Sequence, residues 1–419
     1  MPAELSSRPS PELNTPELLR RVNALRALDN RTNWLYLARE YLFLLGVIGL
    51  TIAFYQFRAS WGLSWAWTVP VTVAAIVLVG AGQHRLTTLG HEASHYMLFR
   101  NRKLNELASD WFCMFPVFST THNYRAQHLA HHQHVNDPER DPDVSQMIAS
   151  GHRFRFPMEP RRFLWRCVVK QLLWIPGLIR YTIARARYAA VGTTDAQGRP
   201  DKGPARLILA TILYLVVLLG LVKYLDTLRN PWLIGLVPGG SWLAMMAVFA
   251  VVPARMFGQP AIRPDIPPRW TMMLRVTHAT LIIWGIAWLK LYTDLSWSLY
   301  FWLLWVVPLL TAFPFFMLLR QVVQHGNADR GRLTNTRLFH RVGPLIRFAV
   351  FPLGMDYHLP HHLFPMVPHF RLKQLHELLS ESESYRRHAT EVDGYFFHRE
   401  SPPVHPTVLD LMAQPIPSH

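Results

Sequence analysis

The sequence predicts an all-α integral membrane protein. We expect about six transmembrane helices in three hairpins, with a cytoplasmic helical cap that carries the chain's histidine clusters. Three observations carry this. Half of the 419 residues are apolar, and they collect into runs near the bilayer-spanning length of about 20 residues. The basic residues avoid every second loop between those runs. Three histidine clusters lie in polar segments before and after the runs, all on one expected side.

The elements follow in order. Residues 1–40 read as a cytoplasmic tail followed by an interfacial helix: residues 1–18 carry several Pro and Ser, and Leu18 to Glu40 alternates basic and apolar residues at helical spacing. The start is polar and charged, without the short apolar core of a secretory signal, so the N-terminus is expected to stay in the cytoplasm. Residues 41–400 form the membrane domain. Its spans are expected near 41–57, 65–81, 207–222, 232–252, 276–291 and 299–319. Trp61, Trp65 and Trp67 supply an aromatic belt at the first hairpin turn. Leu172 to Ile183 is apolar but short, and Pro176 and Gly177 interrupt it, so we read it as re-entrant or interfacial. Gly192 to Pro204 reads as a polar loop, and residues 401–419 as a Pro-rich C-terminal tail.

Charge placement could have contradicted this topology. With six spans and both termini inside, the loops near 58–64, 223–231 and 292–298 lie outside. Those loops and the adjoining span ends hold only Arg58, Lys223, Arg229 and Lys290 of 43 basic residues, and the other 39 fall on the inner side. The net charge of +16 therefore reads as cytoplasmic loops rather than a nucleic-acid surface. Cys113 and Cys167 give neither a disulfide framework nor a cysteine metal site.

The chemistry lies in the clusters. His128, His131 and His132 sit at i, i+3 and i+4, which on a helix is one face. His91 and His95 precede them, and His358, His361 and His362 repeat the second spacing near the C-terminus. Neutral imidazole is the commonest protein metal ligand. His91-Glu92-Ala93-Ser94-His95 taken alone matches the HExxH zinc motif of metalloproteases, with Glu92 as general base. That reading leaves the two HxxHH clusters without a purpose. Eight histidines exceed one tetrahedral zinc and suit two metals with several nitrogen ligands each.

HxxxH, HxxHH and HxxHH in this order, separated by membrane hairpins, resemble the histidine boxes of the membrane fatty acid desaturase family. The surroundings match too: Asn123-Tyr124-Arg125 before the second box, Asn136-Asp137-Pro138 and Asp141-Pro142-Asp143 after it, Gln324-His325-Gly326 and Asn335-Thr336-Arg337 before the third, Leu363-Phe364-Pro365 after it. The resemblance implies a di-iron centre held by His91, His95, His128, His131, His132, His358, His361 and His362. His325 matches an extra ligand that the family places after its last span. Gln321, one helical turn earlier, matches a position where relatives offer a polar side chain. The resemblance further implies O2 as co-substrate, a fatty acyl or lipid substrate, and desaturation of its acyl chain. The same family includes hydroxylases and oxidative decarboxylases that form terminal alkenes. Glu92, Asp137, Asp141 and Asp356 are candidates to accept the outer imidazole N–H groups, and His84 and His134 to stand behind the ligands. No HPGG heme motif is present, and two isolated cysteines cannot hold an iron–sulfur cluster, so electrons are expected from a separate ferredoxin or cytochrome. A third hairpin departs from the family's common two, which leaves the substrate entrance open.

Overall fold

The computed structural model describes residues 11–191, 202–258, 260 and 262–415. Residues 1–10 of the expected N-terminal tail, residues 192–201 of the expected polar loop and the last four residues of the C-terminal tail lie outside them. The chain is 72% helical. Among the described residues, six helices are long and apolar enough to cross a membrane. Span 1 is Thr32–Phe57, span 2 Trp65–Ser94, span 3 Pro204–Leu228, span 4 Pro231–Val251, span 5 Pro268–Thr293 and span 6 Trp297–His325.

Local chemistry sets where these helices start. Asp29 accepts hydrogen bonds from the backbone N–H groups of Arg31 and Thr32 and from the Thr32 hydroxyl, at 2.8, 2.8 and 2.7 Å, just before span 1. Asn230 caps span 4 by accepting from the N–H groups of Trp232 and Leu233, and Pro231 takes the first helical position, where no donor is lost. Span 6 is broken by a π-helical stretch at Trp302–Val306 and bent at Thr311, whose backbone leaves the helical region.

The spans sort into two groups. Spans 1 and 6 both pack along span 2, while spans 3, 4 and 5 pack on one another. Close approach in the first group needs glycine. A Cβ at Gly80 would stand 2.5 Å from the Cβ of Ala312, and one at Gly82 would stand 2.5 Å from Leu44 Cδ2. Polar pairs also lock this group. The Glu40 carboxylate accepts from Arg85 Nε and Nη2 at 2.5 and 2.8 Å between spans 1 and 2. Gln83 donates to the Trp305 carbonyl at 2.8 Å between spans 2 and 6.

Span 2 runs several turns, and span 6 more than one turn, beyond the apolar stretches read from the sequence, and those added turns carry His91 and His325. The helices Thr121–Gln133, Pro142–Ala149, Ile175–Val191 and His358–Leu363 gather around these ends. A short parallel ribbon adds to the otherwise helical fold, with Leu338 opposite Glu391 and His340 opposite Asp393.

Two terminal segments fold back. The helix Pro16–Leu25, expected at the membrane surface, buries Val22 and packs on the helix Leu372–Leu379, and Arg21 holds Glu381 with two bonds of 2.5 and 2.6 Å. Within the expected C-terminal tail, Val408–Ala413 is a helix that buries Val408 and Met412. Its Thr407–Asp410 capping box starts it, and Met412 and Leu411 offer their carbonyls to Met158 N–H and the Asn327 amide at 2.7 and 2.6 Å. An apolar pair at i and i+4 is enough to dock so short a helix once a partner surface exists. The Pro-rich composition around it carries no such signal.

Candidate metal centre

The sequence places three histidine clusters on helices, and each is found on one. Span 2 ends at Ser94, with His91 in its last turn and His95 as its C-cap. Thr121–Gln133 carries His128, His131 and His132. His358–Leu363 carries the third set and follows a sharp kink in which Leu353 and Gly354 both adopt positive φ, 55° and 78°. Glycine meets the left-handed backbone there without strain.

Long-range hydrogen bonds bring the helices into register. Arg125 donates to the carbonyls of Ala93 and Ser94, both at 3.0 Å, so the second cluster is tied to the end of span 2. Its charge is met by Glu106, at 2.8 Å, and both side chains are fully buried. Asn136 donates to the carbonyls of Asp329 and Asn335, at 2.7 and 2.9 Å, joining the loop after the second cluster to the segment before the third. Gln324 donates to the Met355 carbonyl at 2.7 Å, and Arg337 satisfies the Val323 carbonyl at 2.9 Å at the end of span 6.

All nine histidines named from the sequence converge. His91, His95, His128, His132 and His361 form one nest, and His131, His325 and His362 a second, with every pair of potential ligand atoms inside a nest within 4.8 Å. His358 joins the second nest. Its Nε2 lies 2.9 Å from that of His325 and 3.1 Å from that of His362. In the first nest, His128 Nε2 lies 2.9 Å from His95 Nε2 and 3.0 Å from His132 Nε2. Neutral imidazole has one donor nitrogen and one acceptor. So many imidazole nitrogens facing one another cannot all be satisfied by hydrogen bonds. Both nitrogens of His91 and His361 in fact have no partner, although they are buried. Nitrogens at right angles around a metal about 2.1 Å away would stand about 3 Å apart, the spacing found here. The residues present fit two metal ions.

Electrostatics favour the ligand form. Burial, and then the neighbouring histidines, hold His128, His132 and His361 well below the ordinary imidazole pKa, and burial takes His95 down to about 3. His131 is the exception. Burial works against its charged form, but the Asp143 charge and the hydrogen bond with Asp141 outweigh it and raise the value.

The supporting contacts are partly those expected. Asp141 meets His131 Nδ1 at 3.0 Å with both oxygens, accepts from Asn136 N–H at 2.9 Å, and caps the helix Pro142–Ala149 through Asp143 N–H at 2.9 Å. One buried carboxylate thus orients a histidine and starts a helix. Glu92 lies 3.5 Å from His91 Nδ1, but its bond is to the backbone N–H of His369, at 2.8 Å. Asp137 and Asp356 touch none of the nine, because arginines take them. Asp137 pairs with Arg140 at 2.9 Å and Asp356 with Arg347 at 2.8 Å. His84 bonds to the Ala349 carbonyl at 2.8 Å, away from the nests.

Three features had no sequence signature. The Asn335 carbonyl meets His325 Nδ1 at 3.2 Å, and a backbone carbonyl is the same in every residue. Tyr124 stacks on His128 with ring centroids 5.4 Å apart. A partly exposed group of His340, Glu391 and His405 forms at the ribbon.

Beside the nests lies a cavity of about 420 Å3. Its walls are mainly apolar, among them Met114, Leu309, Phe313 and Met317, and Tyr124 carries it up to His128. That volume falls in the range of small-molecule sites.

Comparison with known proteins agrees with this geometry. The family model described as fatty acid desaturase matches residues 65–261 and 243–393. Dihydrorhizobitoxine desaturase of Bradyrhizobium elkanii is 22% identical over 401 residues, which cover 95% of this chain and 88% of that protein. Sphingolipid delta(4)-desaturase of Drosophila melanogaster is 28% identical over 108 residues, 25% of this chain and 32% of the relative.

Proposed function

This chain belongs to the fatty acid desaturase family, and from that premise we propose that it is a di-iron, O2-dependent desaturase of an acyl chain, fed by a separate electron carrier. The observation that carries the reading is the convergence of nine mostly buried imidazoles at the edge of an apolar cavity. Bound at the two nests, iron would supply the activation of O2 that no protein side chain provides. The reaction balances as follows. A CH2–CH2 unit becomes CH=CH and gives up two electrons and two protons. The carrier and solvent supply two more of each, and O2 leaves as two waters.

The chain's own residues have defined tasks in this reading. His91, His95, His128, His132 and His361 hold one ion, and His131, His325, His358 and His362 the other. Asp141 keeps the proton of His131 on Nδ1, which leaves Nε2 for the metal. The Asn335 carbonyl does the same for His325. Tyr124 fixes the plane of His128 by stacking. The apolar walls exclude water from the bond to be oxidised. Glu92 is buried against the His369 backbone, so it is not placed to serve as the general base of a zinc peptidase. With six spans and the basic residues on one side, the centre and both termini face the cytoplasm.

Metal analysis of the purified protein, with lipid analysis of cells expressing wild type and His361→Ala, tests this. About two irons per chain and a new double bond that the variant does not make are expected. Zinc in place of iron overturns the reading. Two irons with a hydroxylated acid or a terminal alkene keep the centre and change the reaction.

A further inference from the structure

Three arginines line the cavity beside the histidine nests: Arg185, Arg275 and Arg320. Two of them have hydrogen-bonded partners. Arg275 donates to the Phe118 carbonyl at 2.7 Å, and Arg185 to the Tyr181 hydroxyl at 3.3 Å. Among the described residues Arg320 has no hydrogen bond or ion pair, and its Nη1 is buried. A buried guanidinium nitrogen without a partner is costly, because its donors are lost to water and meet nothing in exchange. An apolar chain alone would make that worse. The arrangement makes sense if an anion completes it.

We propose that the substrate is a free carboxylic acid with an apolar tail, bound with its carboxylate on Arg320 and Arg185 and its first carbons at the histidine nests. This rests on the reading of the nests as an oxidative centre. The guanidinium fork matches a carboxylate through two parallel hydrogen bonds. The position of Arg320 sets the direction of binding. It lies five residues before His325 on the same helix. Tyr124, which stacks on His128, lines the same cavity. The polar head is therefore held at the metal end. The tail lies along Leu309, Leu310, Phe313 and Pro314. An acyl chain entering as a thioester or ester would leave Arg320 without its partner.

The test uses the full-length protein in lipid nanodiscs, without reductant, so that no turnover occurs. Octanoate, octanamide and octyl phosphate are titrated calorimetrically at pH 7, with empty nanodiscs as the blank. Octanoate is expected to bind roughly tenfold or more tightly than octanamide, the ratio that one charged hydrogen-bonded pair supplies. Arg320→Gln should remove that difference and leave octanamide binding unchanged, which also shows that the cavity is intact. Arg320→Lys should keep most of it. Equal binding of octanoate and octanamide to wild type, or a difference that survives Arg320→Gln, overturns the proposal. Tighter binding of octyl phosphate than octanoate overturns the carboxylate assignment. Metal analysis and a parallel assay with O2 and a reductant added test the oxidative reading separately. If the carboxylate preference holds but no iron and no oxidised product are found, that reading falls and the binding site stands. If octanamide is oxidised as readily as octanoate, the binding proposal falls and the oxidative reading stands.

Discussion

Spans 1, 2 and 6 and spans 3, 4 and 5 are built from similar apolar residues, yet they bury different things. Of the most apolar stretch of each helix, 56% is inside the protein in span 6 and 28% in spans 1 and 2, against 17% for each of spans 3, 4 and 5. The first group buries Glu40, Gln83, Arg85, His91, Glu92, Gln324 and His325. Among the described residues the fully buried polar side chains of the second group are Thr211, Thr271 and Thr280, and it turns Leu213, Val217 and Val251 outward. Apolar helices in lipid gain little from burying apolar surface against each other. A helix that must hold a histidine to within an ångström is instead fixed by polar pairs and by close backbone contact. The second group carries none of the nine histidines and has no such constraint. It packs through Leu218, Ile234 and Trp288.

Four experiments would break or sharpen this contrast. The largest effect is expected at the centre itself. His325→Ala should lower activity by more than roughly a hundredfold and reduce bound metal, with the helical circular dichroism unchanged. Unchanged activity would remove span 6 from the centre. Next comes the buried pair that ties the second cluster to span 2. Arg125→Ala leaves Glu106 buried and uncompensated and should cost about 3–5 kcal/mol, read as a lower thermal midpoint. The double variant Arg125→Met, Glu106→Gln should recover part of it, which a purely steric role for Arg125 would not allow.

The third experiment compares one substitution in both groups. Gly80→Ala forces a Cβ against Ala312 and should cost about 1–3 kcal/mol. Gly240→Ala in span 4 meets nothing within 4 Å and should be neutral or stabilising by up to about 1 kcal/mol. Equal losses at both sites would erase the distinction between the groups. The smallest effect concerns Asp110, beside span 2. Burial raises its pKa to about 7, and a hydrogen bond from Thr121 N–H opposes this. The folded state therefore favours the protonated carboxyl. That contribution is complete below the ordinary carboxylate range and is lost as pH rises through about 7. The thermal midpoint of Asp110→Asn should fall less between pH 4 and pH 7 than that of wild type. An identical slope in both proteins would mean that Asp110 does not titrate differently on folding.

The six long apolar helices and the histidine clusters were legible because both are local. A bilayer sets the length of an apolar run, and the helical repeat decides that His128, His131 and His132 share a face. Both properties are complete within a few turns of one segment. The nine histidines also converge as the motifs led one to expect, because each cluster lies at or near the end of an apolar run. The supporting groups were legible only in part. Asp141 reaches a histidine, but Asp137 and Asp356 do not, because the arginines that claim them come from the folded surroundings.

Other features were decided only in three dimensions. No run of residues tells that spans 1 and 6 share span 2 as a partner, since every apolar helix offers lipid and protein much the same surface. The Asn335 carbonyl is chosen by where the chain turns after span 6, not by its side chain. The C-terminal helix Val408–Ala413 docks because Met158 and Asn327, far away in sequence, present the donors it needs. Arg320 reads in sequence as one more basic residue after an apolar run. Only the packing of span 6 against its neighbours buries one of its guanidinium nitrogens, without a partner among the described residues, at the edge of a cavity.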